Sequence, residues 1–332
     1  MLRNIGTGQN VLVVGVSGMI GRNTAKFLRD RDYTVRGVSR GFGEYRVASA
    51  IEADLAGIDL RFGDIADRSF AKEALHGIHR VVYAAGVSGV AASIADPAAS
   101  RRGTVTPWLA LVEQSEPGTR IVLMSSQLVY GPSHGRPFTE TDPLAPASPY
   151  ASNLALMEHE GARQAEQRKV EVVALRLGNV FGDILWLDQP RSHGLVALML
   201  RDLAAQREIR LFGGGNQTVN LLHVDDLVVA ISHVLGHQHI ESQAIFNVSG
   251  EALAVRSVAE SLCKGAGEGR LVSVPWPASL ERAAARDIEL DDSKFRRRFG
   301  WRCERSVTGE LERLARSCLH HKLLGPNGSP SV

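Results

Sequence analysis

Three glycines, Gly15, Gly18 and Gly21, stand in the spacing G-x-x-G-x-x-G within 10–28, NVLVVGVSGMIGRNTAKFL. That spacing suits a backbone that must turn tightly and approach a pyrophosphate, with the free N–H groups of a following helix facing the phosphate charge. The chemistry needs a strand before the loop and a helix after it. Residues 11–14 are a β-branched-rich apolar run that reads as a buried strand, and Ile20, Ala25, Phe27 and Leu28 give the segment after the loop its apolar positions. Gly15, Ser17, Gly18, Met19, Ile20 and Gly21 are therefore the candidates to line a dinucleotide. At the end of the second strand an Asp or Glu would bond ribose hydroxyls and repel a 2′-phosphate. This chain has Ser39-Arg40 there. A hydroxyl and a guanidinium suit a phosphate dianion, so the predicted cofactor is NADP, with NAD as the alternative and Arg22 as a second cation. Asp64, followed by Ile65, is a candidate for the adenine amino group. Ala84, Ala85 and Gly86 are small enough for a strand end to pass beneath the cofactor, and Leu177 completes the cofactor set.

The elements that must position these residues alternate. Further strands are predicted over 33–38, 58–62, 80–85, 120–126 and 170–175, with helices over 69–75, in the Ala-rich segment to Leu111, and over 152–167. Alternating strands and helices imply an α/β, doubly wound parallel (Rossmann) sheet with right-handed crossovers. From Asp183 short strands and helices mix, as in 209–212, 219–223, 245–248 and 271–274. This reads as a smaller C-terminal substrate-binding lobe against the carboxyl ends of the first strands. The expected division is 1–182 for the cofactor domain and 183–322 for the lobe, with 219–250 able to return to the first domain. A disordered tail is expected over 323–332.

Composition sets the outer limits. With 38 basic and 36 acidic side chains among 332 residues, the balance suggests no nucleic-acid partner. No apolar run approaches the ~18 residues of a membrane span. The three cysteines fit neither a disulfide framework nor a zinc site, which leads to an expectation of a reduced, cytoplasmic setting without metal. Asp225 is expected to cap the helix that runs to Leu235.

Several motifs occur in a telling order: the glycine loop, Gly63-Asp64-Ile65, Ala84-Ala85-Gly86, the run Ser125-Ser126-Gln127-Leu128-Val129-Tyr130-Gly131, Ser148-Pro149-Tyr150, and Arg176-Leu177-Gly178-Asn179-Val180-Phe181-Gly182. Leu222-His223-Val224-Asp225-Asp226-Leu227 and Asp291-Asp292-Ser293-Lys294, followed by Phe299-Gly300-Trp301, come later. Over about residues 10 to 315 the chain resembles the extended short-chain dehydrogenases/reductases, the nucleotide-sugar epimerase/dehydratase group, and is similar to deoxysugar 4-ketoreductases. The resemblance implies that Tyr150 is the acid/base, that Ser126 hydrogen-bonds the reacting oxygen, and that Tyr130 is structural or a substrate contact. It also implies a homodimer through the active-site helix, with Leu154, Leu156, Met157, Ala162 and Ala165 available, although the same residues also suit a core.

The family usually reads Tyr-x-x-x-Lys. That Lys holds the nicotinamide ribose and lowers the Tyr pKa, because a phenol near pKa 10 needs a cation to act as a base near neutrality. Here Leu154 stands at the fourth position and Asn153 aligns with the Lys, and no lysine lies between Lys72 and Lys169. An amide can bond a ribose hydroxyl but carries no charge. A phenol without that cation is already protonated for donation, which suits reduction better than oxidation.

For the substrate, the resemblance points to Ser88, Gln127 and Asn179. Val219 stands where the family often has a diphosphate-clasping Arg, so Arg210, Arg282 and Arg286 are candidates to supply the charge instead. The predicted activity is NADP(H)-dependent reduction of a ketone on a nucleotide-linked deoxysugar. Two alternatives are a nucleotide-sugar epimerase or dehydratase with tightly held NAD(P), and a catalytically degraded NADP-binding regulator.

Overall fold

The computed structural model describes residues 9–42, 48–86, 89–131, 133, 135–182, 194–241, 243–278, 280–281 and 285–324. Its first half runs β1 (Asn10–Val14), α1 (Met19–Arg29), β2 (Thr34–Ser39), α2 (Ala48–Asp54), β3 (Asp59–Phe62), α3 (Arg68–Leu75), β4 (Arg80–Tyr83), α4 (Val90–Ala95), α5 (Pro97–Gln114), β5 (Arg120–Ser126), α6 (Pro149–Arg168) and β6 (Glu171–Leu177). There follow β7 (Asn179–Phe181), α7 (Leu195–Ala204), β8 (Ile209–Phe212), β9 (Thr218–His223), α8 (Val224–Gly236), β10 (Gln243–Val248), β11 (Ala252–Ala254), α9 (Val255–Ala266), β12 (Leu271–Val274), α10 (Ser293–Phe299) and α11 (Val307–Leu324).

Seven strands form one sheet in the order β10-β6-β5-β4-β1-β2-β3, and every pair in it is parallel. The order reverses between β1 and β4, which opens a crevice at their carboxyl ends. Successive side chains of a strand point to opposite faces. Val11 and Val13 accordingly join the layer built with Ala25, Leu28, Leu227 and Ile231. Leu12 and Val14 join the layer built with Trp108, Leu111, Leu154 and Met157. Both faces of β1 are buried, which is why its sequence is continuously apolar rather than alternating. A third apolar cluster, including Phe181, Leu200, Leu211, Val258, Leu262 and Leu311, is built from elements outside the seven-stranded sheet.

Local chemistry sets the breaks that matter for the site. The Ala-rich segment is two helices, because the Asp96 carboxylate accepts the Ala99 N–H at 2.8 Å and Pro97 opens α5. Helix α6 begins earlier than its apolar pattern suggests. The Ser148 hydroxyl accepts the Ala151 N–H at 3.3 Å and Pro149 takes the first helical position, so Tyr150 lies inside the first turn. The expected cap at Asp225 is corrected. His223 caps α8 through Nδ1, which accepts the Asp225 N–H at 3.2 Å, and Asp225 sits in the first turn. Of the residues offered for a dimer face on α6, Leu154, Met157 and Ala165 are buried within the chain, while Leu156 and Ala162 are half-buried. Gly161 explains how closely α5 approaches α6: a Cβ there would sit 2.6 Å from the Trp108 ring.

Candidate active site

The three loop glycines are glycine for different reasons. Gly15 has φ +87°, and a Cβ on it would lie 2.7 Å from the Ala84 carbonyl oxygen. A Cβ on Gly21 would lie 2.2 Å from the Gly15 oxygen. Both positions are forced by the chain's own backbone. Gly18 is not: its φ is −86°, and the nearest atom to an added Cβ is 3.4 Å away, an ordinary contact. Gly18 is the N-cap of α1 and gives it no side-chain cap. The missing side chain leaves space in front of the N–H groups of Met19, Ile20 and Gly21, which a helix's first turn leaves without intrahelical acceptors. A cradle shaped this way fits a pyrophosphate.

Around the cradle, Gly15 and Val16 donate to the Val38 carbonyl at 2.9 and 3.1 Å, which fixes the loop to the end of β2. The buried Ser39 hydroxyl is 2.9 Å from the Ser17 hydroxyl, while Arg40 beside it is exposed. Asp64 is exposed, and its Oδ1 accepts the Ala66 N–H at 2.9 Å. Asp64 and Arg40 both act on the buried Tyr83 phenol at the end of β4, in opposite directions, while burial raises it above its usual value. Ile65 and Leu177 are buried side chains of the two clusters that flank the sheet. Ala84 donates to the Val14 carbonyl at 2.9 Å and so carries the β4 end beneath the loop.

Arg22 departs from its expected role. Its guanidinium pairs with Asp54 at the end of α2, and Lys26 reaches the same carboxylate at 3.2 Å. Arg22 is buried, which lowers its pKa from 12.5 to about 10. Its charge holds α2 against α1 and is neutralised there, which leaves Arg40 as the exposed cation of the expected pair.

Ser126 ends β5, and its hydroxyl accepts the Leu128 N–H at 3.2 Å, capping the short 3-10 turn Gln127–Val129. Helix α6 packs on β5 and on this turn, and Tyr150 joins the same apolar cluster as Leu128 and Val129 of the turn. The Tyr150 N–H donates to the Ser93 hydroxyl at 3.1 Å, and Ser93 belongs to α4. Burial pushes the Tyr150 phenol above its ordinary 10.0, and no described side chain offsets the shift. Asn153, one turn further along α6, is buried, and its Nδ2 donates to Ser100 Oγ on α5 at 3.2 Å. Where the family has a cation, this chain has an amide bound to a neighbouring helix.

On the substrate side, Gln127 is buried and its Oε1 has no hydrogen-bond partner among the described residues. Arg286 donates from Nη2 to the Leu128 carbonyl at 3.3 Å, and its Nε is buried without a described partner. Burial pulls the Arg286 pKa below its usual 12.5. An orphaned acceptor on the turn that follows Ser126 and an orphaned donor on an arginine bound to that turn are therefore present. Val219 bridges to Ile288, two residues past Arg286, so Arg286 lies on the segment beside the position where the family's Arg is absent. Asn179 opens β7 and donates to the Asn220 carbonyl at 3.3 Å. Ser88 and Arg282 lie outside the described residues.

Sequence reasoning overlooked a buried polar chain behind the site: Glu158 on α6, Arg176 on β6, Ser125, Tyr130 and Asn247. Its signal was present, since Arg176 interrupts an otherwise apolar strand, EVVALRL, whose last six residues are buried. Among the described residues no group of three His, Cys, Asp or Glu side chains could hold a metal ion, and no helix is long and apolar enough to cross a membrane.

The profile of the NAD dependent epimerase/dehydratase family matches residues 11–249. The chain belongs to this family. Several of its relatives are nucleotide-sugar enzymes. A UDP-glucose 4-epimerase of Yersinia pestis is 27% identical over 350 aligned residues, spanning 96% of this chain and 99% of that one. A dTDP-4-dehydro-6-deoxy-D-allose reductase of Streptomyces bikiniensis is 29% identical over 247 residues, spanning 69% of this chain and 73% of that one. Among solved structures, the dTDP-glucose 4,6-dehydratase of Streptomyces venezuelae with NAD bound superposes with a TM-score of 0.80 at 25% identity, covering 93% of this chain and 96% of that one. The match confirms an enzyme of the extended short-chain dehydrogenase/reductase group on a Rossmann-like sheet, whose relatives include epimerases, dehydratases and a reductase of nucleotide sugars.

Proposed function

We propose that this epimerase/dehydratase-family enzyme is an NADP(H)-dependent reductase of a ketone on a nucleotide-linked deoxysugar. The observation that carries the reading is the state of Tyr150. Its phenol is half-buried against the core, held above its ordinary pKa by that desolvation, and accompanied by Asn153 instead of a lysine. Such a phenol is protonated throughout the neutral range and is suited to donate. A nicotinamide cofactor supplies the reducing equivalents when bound. Tyr150 gives its hydroxyl proton to the substrate oxygen, and Ser126 hydrogen-bonds that oxygen as negative charge develops on it.

The cradle around Gly18 fits the cofactor pyrophosphate, Asp64 is suited to the adenine amino group, and the exposed Arg40 guanidinium is suited to a 2′-phosphate. Gln127 Oε1 and Arg286 Nε each need a partner that the described chain does not supply. A sugar hydroxyl and a diphosphate oxygen supply those partners. Arg286 thereby takes over the charge that Val219 lacks, and Asn179 contributes at the β7 end of the same cleft.

The test is NADPH oxidation across UDP- and dTDP-linked keto sugars, with dissociation constants for NADPH and NADH measured alongside. Stoichiometric consumption of NADPH and tighter binding of NADPH than NADH are expected. Turnover of UDP-glucose without added reductant indicates an epimerase instead, and binding without turnover indicates a regulator.

A further inference from the structure

Helix α6 carries a second ionisable group that the proposed chemistry does not use. Glu158 lies eight residues past Tyr150, about 2.2 turns at about 3.6 residues each, and so about 80° round the helix from it. Its carboxylate meets Arg176 of β6, with Nη2 2.7 Å from Oε2 and Nε 3.2 Å from both oxygens. The two side chains are only 4% and 3% exposed.

Both ions are bonded onward. The Ser125 hydroxyl donates to Glu158 Oε1. Arg176 Nη1 donates to the Tyr130 hydroxyl at 2.9 Å, which in turn donates to Asn247 Oδ1 at 2.7 Å. Asn247 ties the chain to β10 and donates from Nδ2 to the Phe138 carbonyl at 2.8 Å. Ser125 immediately precedes Ser126, which caps the turn, and Tyr130 immediately follows the turn. Both ends of that turn are thus bound to one carboxylate–guanidinium pair, and the carboxylate belongs to the helix that bears Tyr150.

A buried ion pair is weak evidence of net stability, because an apolar pair of similar volume often replaces it without loss. What it supplies is direction, since a carboxylate and a guanidinium meet in a narrow range of angles. We infer that Glu158 and Arg176 are positioning residues, which set the Ser126 turn against the Tyr150 helix so that both hydroxyls address one substrate oxygen. The inference rests on the reading that Tyr150 and Ser126 carry the chemistry.

The test is the full-length double variant Glu158→Leu/Arg176→Met, which removes both charges together and leaves neither ion unpaired. Its melting temperature is expected within about 5 °C of the parent. NADPH affinity and KM are expected to stay near parent values, while kcat for the keto sugar nucleotide turned over in the panel falls by about tenfold or more. Crystals of the variant with NADPH should show the Tyr150 and Ser126 hydroxyls displaced from each other by about 1 Å or more. A folded variant with parental kcat, or with both hydroxyls unmoved, overturns the inference. Should the double variant not fold, Tyr130→Phe keeps the ring that stacks on Phe138 and deletes only the hydroxyl. It is expected to lower kcat by about threefold to tenfold at unchanged KM, and parental kcat there overturns the inference too. Tyr150→Phe separates the two claims: if it stays active, the chemical reading fails, and the hydroxyl positions in the crystals still decide the positioning one.

Discussion

The substitution Asn153→Lys restores a cation one helical turn from Tyr150, and its effect can be worked from the structure. Residues three apart on a helix place their side chains about 5–6 Å from each other. At about 6 Å and an effective dielectric of about 20, a unit charge contributes about 3 kcal/mol, or about two pKa units. A cation favours the phenolate, so the Tyr150 pKa moves down. The parent phenol lies above 10.0, because burial raises it and no described charge opposes that. Reduction needs the protonated form. Its rate should therefore be flat through neutrality in the parent, and the alkaline fall should move down by about two pH units in the variant. Oxidation needs the phenolate, whose fraction at pH 7 should rise by up to about 100-fold, carrying the reverse rate with it. The larger side chain at a buried site is expected to cost about 1–3 kcal/mol, so thermal unfolding must accompany the kinetics. The control is Asn153→Leu, which deletes the bond to Ser100 without adding charge. It should lose about 1 kcal/mol of stability and leave the pH profile where it was. If Asn153→Lys is folded and both its profiles overlay the parent's, the electrostatic account of Tyr150 is refuted.

Four further outcomes follow from the cradle and the cleft. Gly18→Ala should melt as the parent does, because its Cβ has room, yet bind NADPH about tenfold or more weakly, while Gly21→Ala should fail to fold because its Cβ would meet the Gly15 carbonyl at 2.2 Å. Paired titrations and melting curves check this. Arg40→Ser should raise the NADPH dissociation constant by about 10–100-fold and leave NADH unchanged, as loss of a charge-assisted bond implies. Arg22→Ala should lower the melting temperature and leave the NADPH to NADH ratio unaltered, because Arg22 is paired with Asp54. Arg286→Gln should raise KM for the sugar nucleotide by about 10–100-fold with little change in kcat, and a steady-state split that falls on kcat instead would remove Arg286 from the substrate's binding set.

The cofactor half was legible because its signals are local. A continuous apolar run, three glycines and an amphipathic segment specify β1, the turn and α1 within 20 residues of chain, and hydrophobic periodicity does not depend on what packs against it. Motif order likewise placed Tyr150, Ser126 and Asn179 along the chain and marked the missing lysine. Only the tertiary structure decided where the charges went. Arg22 meets Asp54 across 32 residues, Asn153 meets Ser100 across 53, and Arg286 meets the Leu128 carbonyl across 158. A guanidinium or amide has the same local signature whether it faces water, a carboxylate or a ligand. Its partner is chosen by how strands register and helices pack, which is a property of the whole chain. Glu158 and Arg176 illustrate the limit: Arg176 stands out in a buried strand, but only the packing of α6 over β5 and β6 supplied Glu158 as its partner.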